Sequence, residues 1–182
     1  MELHGNVIFG GNGYSSEWHT EAVEKRGLKN IPTSADALPT FKEESVIKLF
    51  ESTGVLSPAE LASRFEVYAE QYILTIEMEA KLVIGIANTR IYPAAIEYLD
   101  SLSTTEINLS KLNITISHNS IDEIATETDG MMAAVGKLKD ALSVEEFNST
   151  EAHMNHCADI LCPLMLEVRS HADALELLVS DD

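Results

Sequence analysis

From the middle of the chain onward, apolar residues recur at steps of three and four, the spacing that keeps side chains on one face of a helix. The longest run is Ala69, Ile73, Ile76, Ala80, Val83, Ala87, Ile91, Ala94, Tyr98 and Leu102. Ahead of it Ser57 is placed to act as an N-cap, Pro58 takes the first helical position and Glu60 completes a Ser-x-x-Glu capping box. The pattern predicts one helix from Ser57 to about Ser103, roughly 70 Å long. Its centre, Leu82-Val83-Ile84-Gly85-Ile86-Ala87, is apolar on nearly every side and is expected to be covered all round. Pro93 removes one backbone hydrogen bond, and because the pattern continues beyond it, a kink rather than a stop is expected.

Two further helical seams follow. Ile121, Ile124, Thr128, Met131, Val135, Leu138 and Leu142 alternate steps of three and four without a fault. Met154, Cys157, Leu161, Leu164, Val168, His171, Leu175 and Leu178 repeat the device from Thr150 to about Val179, with Pro163 as a second expected kink. Short connections favour antiparallel neighbours. The fold class that follows is all-α: an antiparallel three-helix bundle around one very long kinked helix. Residues 39–53, with Phe41, Val46, Leu49 and Phe50 on one side and Gly54 as the stop, are expected as a partial fourth layer. Residues 104–118 read as an extended connector, since Leu112, Ile114 and Ile116 alternate like a strand.

The first forty residues differ in kind. Asn6-Val-Ile-Phe9 resembles a short strand, and Gly10-Gly-Asn-Gly13 a turn that ends it. Neither phosphate-binding glycine spacing is present, so the turn is read as structural. Ser15 or Ser16 is expected to cap a short helix carrying Trp18, Ala22 and Val23, closed by Gly27, and Thr33 to Leu38 leaves room for one helical turn before Pro39. A lone strand is not stable by itself, which suggests a piece of a longer protein.

Composition narrows the partners. The chain has 182 residues, 45% of them hydrophobic, with 12 basic and 30 acidic side chains and a formal charge of −18. That charge repels phosphate backbones and anionic lipid, and the four arginines, Arg26, Arg64, Arg90 and Arg169, are scattered. No nucleic-acid or membrane partner is expected. The two cysteines, Cys157 and Cys162, lie five apart on a predicted helix and are expected to point in different directions, which suits a reducing cytoplasm rather than a disulfide framework.

Candidate chemistry is sparse. His153, His156, Cys157 and Cys162 form the one cluster with metal-ligand character, but a structural zinc needs four converging ligands and Cys162 is expected to face away. His171 falls in a seam and reads as a hydrogen-bonded interior histidine. Glu66, Glu70, Glu77 and Glu79 lack the Glu-x-x-His pairs of di-iron bundles and read as a solvated acidic face. Met131, Met132 and Met165 read as core filler. No catalytic, cofactor-binding or metal-binding residue is assigned.

Several words of the sequence carry a resemblance. Asn6-Val-Ile-Phe9-Gly-Gly-Asn-Gly-Tyr-Ser15-Ser-Glu-Trp18, Glu21-Ala22-Val-Glu-Lys-Arg-Gly-Leu28-Lys-Asn30, Asp36-Ala-Leu-Pro39, Lys48-Leu-Phe-Glu51, Thr53-Gly-Val-Leu56, Arg64-Phe-Glu-Val-Tyr-Ala-Glu-Gln-Tyr72 and Ile91-Tyr-Pro-Ala-Ala95 together resemble the region that follows the catalytic core of type III glutamine synthetases. The resemblance covers residues 5–100, and the remainder matches by helical pattern alone. It implies a large cytoplasmic enzyme that joins glutamate and ammonia using ATP and divalent metal (magnesium), assembled from stacked rings as a homo-oligomer. The metal-binding glutamates and the ATP- and glutamate-binding arginines of that family lie upstream of the matching region, so no catalytic residue carries over. The expectation is a non-catalytic C-terminal helical region acting in assembly or regulation, its partner being the upstream catalytic core, with residues 1–38 as the tail of that core and 39–182 as the bundle. The alternative is a free-standing acidic helical adaptor.

Overall fold

The computed structural model describes residues 5–115 and 120–180. Among the described residues there are helices and turns and no strand. The chain forms two compact units, Met1–Phe65 and Glu66–Asp182.

In the first unit, the expected strand at Asn6–Phe9 is replaced by a single 3-10 turn, Gly5–Val7, in which the Ile8 amide donates to the Gly5 carbonyl at 3.0 Å. An isolated strand has no ladder to satisfy its backbone, and a tight turn satisfies it locally. Helix α1 (Ser16–Glu24) is capped by Ser15, whose hydroxyl accepts from the Trp18 amide. Gly27, at φ +66°, lets the chain turn back so that Leu28 N–H reaches the Ala22 carbonyl. Phe9 stacks on Trp18 with ring centres 4.0 Å apart, and Arg26 lies over both rings while bonding to Glu21 and to the Ile8 carbonyl. This stack holds the glycine turn to α1. Helix α2 (Ser34–Ala37), capped by Thr33, runs into a 3-10 segment, Leu38–Lys42, and then α3 (Glu44–Ser52). Gly54, also at φ +66°, ends α3, with the Val55 amide bonding to the Phe50 carbonyl. Ala22, Ala35, Leu61 and Phe65 are the buried apolar residues here.

The capping box at Ser57 forms as expected: Ser57 Oγ accepts from the Glu60 amide at 3.3 Å, and Glu60 Oε2 accepts from the Ser57 amide at 2.8 Å. The Ser57 hydroxyl also donates to Glu60 Oε2 at 2.7 Å, and this bond, followed by the one from the Ser57 amide, favours the ionised carboxylate and holds Glu60 below the usual carboxylate range. Helix α4 (Pro58–Ile86) passes through a five-residue π-helical turn, Ala87–Ile91, directly into α5 (Tyr92–Lys111). The helix therefore runs eight residues past the expected end at Ser103. Asn113 stops it by adopting φ +57°, and the Ile114 amide bonds back to the Leu109 carbonyl. The expected connector over residues 104–118 is helix and cap through Asn113, and its residues 116–118 lie outside the described residues.

The second unit is a three-helix bundle. Helix α6 (Ser120–Leu142) packs along α8 (Cys162–Glu176) and against α5, and α7 (Thr150–His156) joins α8 through a second π-helical turn, Cys157–Leu161. Glu127 meets His171, Lys137 meets Glu167 and the Ala141 carbonyl meets His156, so α6 runs opposite to α7–α8. Buried residues of α6 are Ile124, Thr128, Met131, Ala134, Val135 and Leu138, and those of the last helices are Met154, Cys157, Leu161, Val168 and Leu175. Against them the long helix presents Ala69, Ile73, Ala80, Ala87 and Ala95. Mostly alanine on one side and large side chains on the others allows close helix approach without voids. The buried Thr128 hydroxyl donates to the Ile124 carbonyl, so no polar atom is stranded there.

Two further expectations fail within the long helix. Its centre is not covered all round, for Leu82 is 61% exposed and Ile86 43%. The buried stripe also slips by one: Ala95 is buried and Ala94 exposed. The π-turn, where Tyr92 N–H reaches the Ala87 carbonyl five residues back, holds one more residue than an α-turn and advances the face accordingly. The cause is Pro93, whose ring would clash with the preceding turn and which offers no N–H. The second π-turn stands in the same register to Pro163, and there Cys162 N–H reaches the Cys157 carbonyl. Among the described residues no helix is long and apolar enough to cross a membrane.

Candidate functional site

Polar side chains of the bundle gather where α4 passes α7. His153 Nε2 lies 2.9 Å from Glu77 Oε1, and the imidazole is stacked on Phe147 with ring centres 4.0 Å apart and planes 9° apart. His156 is tilted by 49° to the Phe147 ring, with ring centres 5.1 Å apart and Nε2 3.0 Å from the Ala141 carbonyl. The three come together because Ser149 caps α7 at its start, accepting from the Ala152 amide, and so fixes the linker carrying Phe147 against the first turn. A shallow cleft of about 390 Å³ opens beside them, with Glu70, Leu74 and Glu145 on its rim.

The histidines are thus separated by their partners and not convergent. His153 faces α4, His156 faces the end of α6, and Cys157 is buried in the bundle core. Cys162 follows Cys157 across the π-turn and is half-buried, with its amide bonding to the Cys157 carbonyl. Burial pushes the Cys157 thiol up to about 11 and, reinforced by the neighbouring Cys162, the Tyr72 phenol up to about 12. Both groups are therefore neutral at ordinary pH, and the thiols are poor nucleophiles. Among the described residues no three His, Cys, Asp or Glu side chains are grouped to hold a metal ion.

Glu66, Glu70 and Glu79 are exposed, as a solvated face requires, but Glu77 is half-buried on His153. His171 is half-buried, with Nδ1 2.7 Å from Glu127 Oε2. Its ring lies over Gly130, where an added Cβ would come within 2.5 Å of the imidazole. Met131 is buried, while Met132 and Met165 are half-buried at the edge of the packing. Phe147, Glu127 and Tyr72 were not singled out by the sequence. The one signal for Phe147 is a lone aromatic in a polar linker.

Chemically, this arrangement orients two histidines, His153 on Glu77 and His156 on the Ala141 carbonyl. The His–carboxylate contacts tie α7 to α4 and α8 to α6, so their role in the described structure is to fix helices.

Comparison with known proteins bears on what such a bundle serves. The family described as the glutamine synthetase C-terminal domain matches residues 1–111. The chain is 31% identical to the type-3 glutamine synthetase of Dictyostelium discoideum over 189 aligned residues, spanning 98% of this chain and 25% of that protein. It is 26% identical to a glutamine synthetase of Bacteroides fragilis and 26% identical to one of Butyrivibrio fibrisolvens, spanning 97% and 98% of this chain. The chain spans about a quarter of the length of each of these relatives.

Proposed function

This chain belongs to the family of glutamine synthetase C-terminal domains, and from that membership we propose that it is a non-catalytic helical region of an ATP-dependent glutamate–ammonia ligase, acting in assembly. The observation that carries this reading is the alignment of nearly the whole chain to only 25% of a type-3 glutamine synthetase, which leaves three quarters of such an enzyme for the chemistry. The residues present here do not fit the metal and ATP centre that the family implies. Transfer of a phosphoryl group needs divalent ions on converging carboxylates and cations at the developing charge. Among the described residues no three candidate ligands gather, and Arg26 and Arg169 are engaged with Glu21 and Asp173.

An assembly role is supported by the outer face of α4, where Val67, Leu74, Met78 and Leu82 are each more than half exposed. Apolar side chains repeating along one helix face favour contact with protein over water. In this reading residues 1–38 are the trailing part of the catalytic region, 39–182 form the bundle, and the enzyme works in the cytoplasm as a homo-oligomer. Two measurements test it: ATP-dependent glutamine formation by the 182-residue chain alone, and the size of the full-length enzyme with and without residues 39–182. We expect no turnover in the first and a smaller assembly in the second when the bundle is removed. Turnover by the isolated chain, or an unchanged assembly without the bundle, overturns the reading.

A further inference from the structure

Where the first π-turn faces the last turns of α8, the second unit opens into a cleft of about 430 Å³. That volume falls within the rough 300–1,000 Å³ range of small-molecule sites. The chain just beyond the π-turn lines it with Ala94 and Ala95, and α8 lines it with Ala172, so only small side chains reach into it there. Ile91 and the buried Leu175 complete an apolar lining.

The charges at its edge are opposed. Arg90, held in the π-turn, lines one wall, and Asp173 and Glu176, one turn apart on α8, line the other. Among the described residues Arg90 makes no hydrogen bond or ion pair, unlike Arg26 and Arg169, and Glu176 is likewise unpaired. Asp173 Oδ2 accepts from Arg169 Nε at 3.3 Å. A guanidinium is matched by a carboxylate, bidentately where geometry allows. A carboxylate pair on the opposite wall is matched by an ammonium. A fatty carboxylate would leave Asp173 and Glu176 facing like charge, and a simple amine would leave Arg90 unused. A nucleotide would be repelled by both acidic groups.

We propose that this cleft binds a free α-amino acid with an apolar side chain. Its carboxylate lies on Arg90, its ammonium on Glu176 and Asp173, and its side chain against Ala95, Ala172 and Leu175. The site is built wholly from residues of this chain and does not depend on the assembly reading above.

The test is a titration of the isotope-labelled 182-residue chain with L-leucine and L-phenylalanine, followed by amide chemical shifts. Saturable shifts are expected around residues 90–95 and 172–179. Arg90→Gln, an exposed position, is expected to weaken binding about tenfold, the effect of losing one charge-assisted hydrogen bond. Ala172→Leu is expected to fill the cleft and abolish binding. Isocaproate and isoamylamine, which each lack one of the two charges, are expected to bind more weakly than leucine. Four outcomes overturn the proposal. One is the absence of shifts at tens of millimolar amino acid, and another is unchanged affinity in Arg90→Gln. Isocaproate binding as tightly as leucine would make this a site for anionic amphiphiles. Concentration-dependent shifts at these residues without ligand would assign the cleft to a second copy of the chain.

Discussion

Gly130 shows how much a single side chain is asked to tolerate. It sits in the interior of α6, where glycine costs about 1 kcal/mol relative to alanine. It is retained against that cost because the His171 ring occupies the space a Cβ would need, 2.5 Å from the imidazole Cε1. With an alanine there, the ring must swing away and give up its bond to Glu127 Oε2. Thermal unfolding of a double-mutant cycle separates the two effects. We expect Gly130→Ala to destabilise the parent chain and to stabilise the His171→Ala variant by about 1 kcal/mol. The same sign in both backgrounds would show that His171 does not set the requirement. The sequence placed His171 correctly in a helical seam, but it offered no hint of Glu127 or Gly130 as partners. They lie more than forty residues earlier, and only packing of α6 on α8 makes them neighbours.

The two π-turns are the telling features among the elements. Each ends two residues before a proline, at Ile91 before Pro93 and at Leu161 before Pro163. Side chains help the first one: Asn88 Nδ2 donates to the Ile84 carbonyl at 2.6 Å and Thr89 Oγ1 to the Gly85 carbonyl at 2.7 Å, satisfying backbone groups of the preceding turn. A π-turn holds one residue more than an α-turn, so removing one residue there returns the helix to α geometry and leaves the face beyond it in place. Removing a residue from a regular turn instead rotates everything beyond by about 100°. The chain lacking Thr89 and carrying Pro93→Ala should therefore melt within about 2 kcal/mol of the parent, whereas deletion of Glu79 should prevent cooperative folding. Equal damage from both would mean that the π-turn is not the source of the register shift. The prolines are visible in the sequence, where the pattern predicts kinks. Whether a helix answers a proline by bending or by widening a turn depends on the neighbours packed against that turn, here α6 and α8.

For the whole molecule, the balance of ionisable groups sets the pH range of stability. The Cys157 thiol is raised from an ordinary value near 9 to about 11, and the Tyr72 phenol from near 10 to about 12. Groups raised in the folded state ionise first in the unfolded chain, so their contribution is complete below about pH 9 and is lost as pH climbs through 11 to 12. Glu60 is depressed, so its contribution is present above the usual carboxylate range and disappears as pH falls through its lowered value. Melting temperature should hold a plateau up to about pH 9 and fall above it, and Tyr72→Phe with Cys157→Ala should flatten that fall; an equally steep fall in the double variant would rule these groups out. The all-α class, the Ser57 cap, the α6 seam from Ile124 to Leu138 and the family were all legible in the sequence, because caps and apolar periodicity act between residues close along the chain. Leu82 and Ala94 were not, because burial depends on which faces the other helices cover, and Glu77 with His153 became a pair only when helices 76 residues apart in sequence were packed together. Local chemistry determined where helices start and what face they offer, while the tertiary structure decided which part of each face is used.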